Sequence, residues 1–74
     1  MAEQKIESPM TGNVIEISVS VGDTVEIGDM LIVIESMKME NEIFSEVSGT
    51  ITAIHVSEDD NVSEEDVLMS IDVN

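Results

Sequence analysis

The sequence has no cysteine, tryptophan, tyrosine or arginine, and only one phenylalanine and one proline. Each gap closes off a class of answer. Without cysteine there are no disulfide staples and no thiolate chemistry. With aromatic residues at 1%, the core has to be built from Val, Ile, Leu and Met, a palette suited to β-strands. No stretch approaches the roughly 20 apolar residues that cross a bilayer, and the opening MAEQKIESPM lacks the apolar run of a signal peptide. The reading is a soluble, cytoplasmic chain with no membrane insertion. Lys5 and Lys38 are the only basic residues against 17 acidic ones, a formal charge of -15. Such a charge repels phosphate backbones and excludes nucleic acid as a partner. The acidity suits a solvated monomer, a basic partner or a salty host equally, and composition does not separate these.

What is present is a repeat. Shifted by 37 positions, residues 8–35 align without a gap on residues 45–72. Identical pairs are Ser8/Ser45, Gly12/Gly49, Val19/Val56, Ser20/Ser57, Asp23/Asp60, Val25/Val62, Asp29/Asp66 and Leu31/Leu68, and Met10/Val47, Val14/Ile51, Ile17/Ile54 and Ile34/Ile71 are conservative. Two copies of one β unit, each too small to bury its own apolar face, should pack on each other about a pseudo-twofold axis. In one domain spanning residues 1–74, half 1 then covers about 8–35, a connecting hairpin 36–44, and half 2 about 45–72.

Ile15 to Val21 alternates apolar and polar residues, the mark of a strand with one wet face. The shared apolar pairs nominate Val14, Ile17, Val19, Val25, Leu31 and Ile34, with Ile51, Ile54, Val56, Val62, Leu68 and Ile71, as the core. Steps of three, from 14 to 17 and from 31 to 34, break the alternation and predict bulges or strand ends. Gly22-Asp23 and Gly28-Asp29 punctuate half 1 into three short strands. In half 2 the glycines are replaced by Asp59 and Glu65, and Glu65 would be strained at positive φ. A relaxed turn of another type is expected there.

The joint between the halves falls at Met37 and Lys38. A two-residue hairpin is the simplest reversal, yet such turns favour Gly, Asn or Asp, because both central residues need φ > 0. A local rule broken at one spot of a consistent sequence marks a place to look for function. An exposed lysine flanked by Met37 and Met39 would be one amine on a small apolar platform.

The stretch Glu35-Ser36-Met37-Lys38-Met39-Glu40-Asn41-Glu42-Ile43 closely resembles the attachment motif of biotinyl carrier domains, the biotin/lipoyl attachment family. Ser8-Pro9-Met10-Thr11-Gly12, Gly22-Asp23-x-Val25-x-x-Gly28-Asp29 and Ser48-Gly49-x-Ile51 resemble further family elements, so the likeness covers nearly the whole chain. It implies an all-β fold, a flattened barrel or sandwich of two small antiparallel sheets, with the termini near each other and the lysine hairpin at the far end. It implies covalent biotin on Lys38, joined by a separate biotin ligase that deprotonates the amine, with Met37 and Met39 as flanking recognition residues. The domain would then be a non-catalytic carrier, moving a carboxyl group on biotin between the carboxylase and the carboxyltransferase or decarboxylase subunits of a larger system.

Three other readings remain open. A lipoyl domain, or a carrier of both groups, has a similar fold but typically flanks its lysine with Asp and Ala. An unmodified acidic binding module would keep its function without Lys38. An independent enzyme lacks a P-loop, a metal-ligand cluster and a nucleophile-base pair. His55, the single histidine, aligns with Ser18 and is read as an ordinary exposed residue. The gapless repeat leaves no room for a protruding insertion, so contacts to a bound ring would come from Met37, Met39 or the Pro9-Met10 segment.

Overall fold

The computed structural model describes residues 2–74 and is entirely β. Each repeat unit supplies four strands: β1 (Ala2–Glu7), β2 (Gly12–Ile17), β3 (Thr24–Val25) and β4 (Met30–Ser36), then β5 (Met39–Phe44), β6 (Gly49–Ile54), β7 (Asn61–Val62) and β8 (Val67–Val73). They form two four-stranded antiparallel sheets in the orders β1-β8-β6-β3 and β5-β4-β2-β7. Exchanging β1 with β5, β2 with β6, β3 with β7 and β4 with β8 turns one order into the other, which is the pseudo-twofold. The units interleave as well as stack, since each sheet takes two strands from each unit. The short β3 pairs with β6, and β7 with β2.

Within the connecting hairpin, residues 39–44 form a full strand equivalent to β1. The same 37-residue offset relates Glu3 to Glu40 and Ile6 to Ile43, so the repeat reaches back to Ala2. Both strands are sheet edges and largely exposed, so neither carries the alternating apolar signal that marks a half-buried strand. The alternation read from Ile15 to Val21 also stops short: β2 ends at Ile17, and Val21 is exposed in a turn.

Bulges occur where the steps of three predict them. Register shifts lie between Val14 and Glu16 against β4, and between Met30 and Ile32 against β5. Their equivalents lie between Ile51 and Ala53, and on β8 opposite Ile6 and Glu7. The extra residue on β4, Leu31, thereby joins Ile32 and Ile34 in the buried cluster, which Val33, buried on the alternate position, does not enter. Eight of the nominated residues, Val14, Val25, Leu31, Ile34 and their partners Ile51, Val62, Leu68 and Ile71, form the buried cluster with Ile32 and Met69. Ile17, Val19, Ile54 and Val56 are half-buried against it.

The four identical Asp and Ser pairs turn out to be structural. Asp23 and Asp60 each accept a hydrogen bond through Oδ2 from the backbone N–H three residues back, of Ser20 at 2.8 Å and Ser57 at 2.9 Å. Asp29 and Asp66 do the same for Glu26 and Ser63. Each pins a four-residue turn whose third residue has positive φ: Gly22 (98°), Gly28 (96°), Asp59 (76°) and Glu65 (75°). The expected relaxation in half 2 therefore does not occur. The reason is tertiary: the N–H of that third residue donates across to the other unit in every case, Gly22 to Ile51, Gly28 to Ser45, Asp59 to Val14 and Glu65 to Ser8. A different turn type would lose that bond, so strain at Glu65 is the smaller cost. Ser8 and Ser45 are buried, and their hydroxyls donate to the carbonyls of Met10 and Val47, both at 2.6 Å.

Candidate functional site

The pairing Ser36↔Met39 leaves Met37 and Lys38 as the whole loop between β4 and β5. Their φ values, 54° and 66°, are both positive, the signature of a type I′ turn. Neither residue type favours that region, and holding them there costs roughly 1–2 kcal/mol each. The twist of the flanking strands dictates it: a two-residue connection between right-twisted antiparallel strands closes best as a primed turn. Lys38 is exposed, Met37 is 92% exposed and Met39 66%. The structure thus brings together the three residues singled out in the sequence.

Two features hold this tip in place. Asn41, across from Ile34, donates its side-chain amide to the Ile34 carbonyl at 3.3 Å and to the Met39 carbonyl at 3.1 Å, tying both arms of the hairpin. Sequence reading missed it; an amide two residues after a tight turn was the available signal. On the other side, Gly12 lets β2 approach β4 so closely that an added Cβ would collide with the Glu35 carbonyl and lie 2.8 Å from the Ile34 side chain. That explains a glycine in the opening element: it seats β2 directly behind the lysine hairpin. Gly49 has the equivalent place against Asp72 and Ile71.

The other end of the molecule mirrors this one. Ala2↔Val73 is the pairing equivalent to Met39↔Ser36, so the ends of β1 and β8 occupy the place that the hairpin holds in the other sheet. The described ends of the chain are thus side by side, opposite the lysine. Lys5, the second amine, lies in β1 opposite Ser70 and borders an open cleft of about 390 Å³ between the edge strands β1 and β5. Ile6, Pro9, Ile43 and Phe44 line the same cleft, whereas Met10 packs against the core. At the tip the exposed apolar side chains are Met37 and Met39. His55 is exposed as expected, with Nε2 3.2 Å from the Ser70 hydroxyl. Among the described residues there is no group of three His, Cys, Asp or Glu side chains placed to hold a metal. Among the described residues no helix is long and apolar enough to cross a membrane.

Comparison with known proteins points the same way. Over 70 residues the chain is 43% identical to a biotin carboxyl carrier protein of Streptococcus mutans, an alignment covering 95% of this chain and 54% of that protein. It is 39% identical to the human mitochondrial propionyl-CoA carboxylase alpha chain, covering 90% of this chain and 9% of that one. The fold superposes on part of the Kluyveromyces lactis urea carboxylase with a TM-score of 0.88 and 32% identity, over 96% of this chain and 6% of the other. The chain therefore spans about half the length of the first relative and a small part of the others. A family model described as "Biotin-requiring enzyme" matches residues 4–71, which takes in both sheets, both repeat units and the Met37-Lys38 hairpin, and the chain belongs to this biotin/lipoyl family.

Proposed function

We propose that this domain is a biotin carboxyl carrier and that Lys38 is its attachment residue. The observation that carries the reading is the type I′ hairpin: it presents a single exposed amine, on a stem of four methylenes, at the end of the fold opposite the chain ends. The residues fit the group. Lys38 needs only access and a fixed point of suspension, which Asn41 and Gly12 help to supply. Attachment would make an amide between Nζ and the carboxyl of biotin activated as an acyl adenylate, with AMP leaving and the proton passing to the ligase. Biotin, once bound, supplies the chemistry of carrying CO2. The protein's part is then to hold the arm on a rigid base while leaving it free to swing.

The domain itself is read as non-catalytic. Its partners would be the components of a biotin-dependent carboxylase, as the names of the relatives support, and, by the chemistry of attachment and transfer, a biotin protein ligase and a carboxyltransferase or decarboxylase. Incubation with a biotin ligase, biotin and ATP tests the assignment. Lys38→Ala is expected to abolish labelling while Lys5→Ala leaves it intact, as read by avidin blot and intact mass. Equal labelling of both variants would overturn the assignment. Intact mass of the protein from its host separates biotin from lipoate directly.

A further inference from the structure

Six methionines are present, and the five among the described residues divide sharply by exposure. Met69 is fully buried, Met10 and Met30 are half-buried, and Met37 and Met39, directly before and after Lys38, stand out at 92% and 66% exposed. Folding gives no reason for this placement. Met37 sits at positive φ, where Asn or Gly would relieve strain, and an apolar side chain at that exposure gains almost nothing from burial. A macromolecule that encloses the Lys38 amine has to cover both thioethers as it does so. Such residues suit an adaptable apolar contact, and that contact is sensitive to oxidation.

From this we propose that Met37 and Met39 form a reversible oxidation site that gates modification of Lys38, an inference that rests on Lys38 being the biotin acceptor. The oxidant is hydrogen peroxide. A sulfur lone pair attacks one peroxide oxygen, the O–O bond breaks, an S–O bond forms and water leaves; the sulfur loses two electrons and the peroxide gains them. A dithiol-dependent sulfoxide reductase returns the oxygen as water and becomes a disulfide. Each sulfoxide places a strong dipole where the partner needs an apolar surface, and that dipole must be stripped of water without a matched donor. The acceptor is silenced while the fold survives, because Met69 in the core is shielded from the oxidant.

The test uses the intact chain, treated with dilute hydrogen peroxide that is then removed by catalase before ligase, biotin and ATP are added. Peptide mapping is expected to find one added oxygen on Met37 and on Met39 ahead of Met10 and Met30, and none on Met69. The initial labelling rate is expected to fall about tenfold or more and to return after treatment with reductases for both sulfoxide epimers. A Met37→Leu/Met39→Leu variant, whatever its own starting rate, should show no change on peroxide treatment. Labelling that stays within about twofold of the untreated rate when both residues are oxidised would overturn the proposal, as would an equal loss in the double variant. Untreated protein that accepts no biotin would instead sink the parent assignment of Lys38, and the gate with it.

Discussion

Gly28 and Glu65 occupy the same corner in two copies of one turn, with φ of 96° and 75°. One is at ease there and the other is strained. Yet both turns carry the same carboxylate pin and the same hydrogen bond to the opposite unit, so the backbone followed the tertiary bond and not the residue. The comparison teaches how to read Met37 and Lys38, which share that strain. Positive φ alone does not mark function in this fold, since Asp59 and Glu65 show it for architectural reasons. All four strained residues are exposed, and the hairpin differs in having no equivalent loop in the repeat and no bond to the opposite unit that accounts for its shape.

The equivalence of the two units can be broken in order of expected effect. Ile34→Ala and Ile71→Ala remove fully buried side chains from matched positions and should each cost about 2–5 kcal/mol, by similar amounts. Urea unfolding followed by circular dichroism measures both, since the chain has no tryptophan for fluorescence. A large loss at one site and almost none at the other would mean the units do not share one core. Glu65→Gly should stabilise by about 0.5–1 kcal/mol, the relief of strain less the entropy added to the unfolded chain, and Asp59→Gly by less, because Asp tolerates this region better. Thermal midpoints that fall in both variants would contradict the strain assigned here. The smallest effect concerns the tip. Asn41→Ala should cost about 1 kcal/mol or less overall while speeding amide hydrogen exchange at Lys38 and Met39. Gln4→Ala, the matched change on β1, should leave exchange at the tip as it was.

Much of this was legible in the sequence because the repeat reports itself twice. Identical Asp and Ser pairs survive where a side chain pins a turn, and identical glycines survive where two backbones touch, so matching positions named the structural residues directly. Lys38 stood out for a different reason: Met-Lys departs from the residues that two-residue turns favour, and the stretch around it resembles the attachment motif of biotinyl carrier domains. What escaped was non-local or polar. Edge strands β1 and β5 have few apolar residues to align, so the repeat seemed to begin at Ser8. The pairing of β3 with β6 and of β7 with β2 rests on two residues each and leaves no pattern along the chain. The turns at Asp59 and Glu65 were misjudged because their shape is set by Val14 and Ser8, far off in sequence.

The interleaving of the units has a consequence for how such a molecule could arise. Neither unit holds a complete sheet, so an ancestral single copy could have been stable only as a pair with its own duplicate, each lending strands to the other. Fusing the two genes would have turned that dimer into one chain and created a single stretch of polypeptide with no twin. That stretch is the Met37-Lys38 turn, and there this chain carries Lys38.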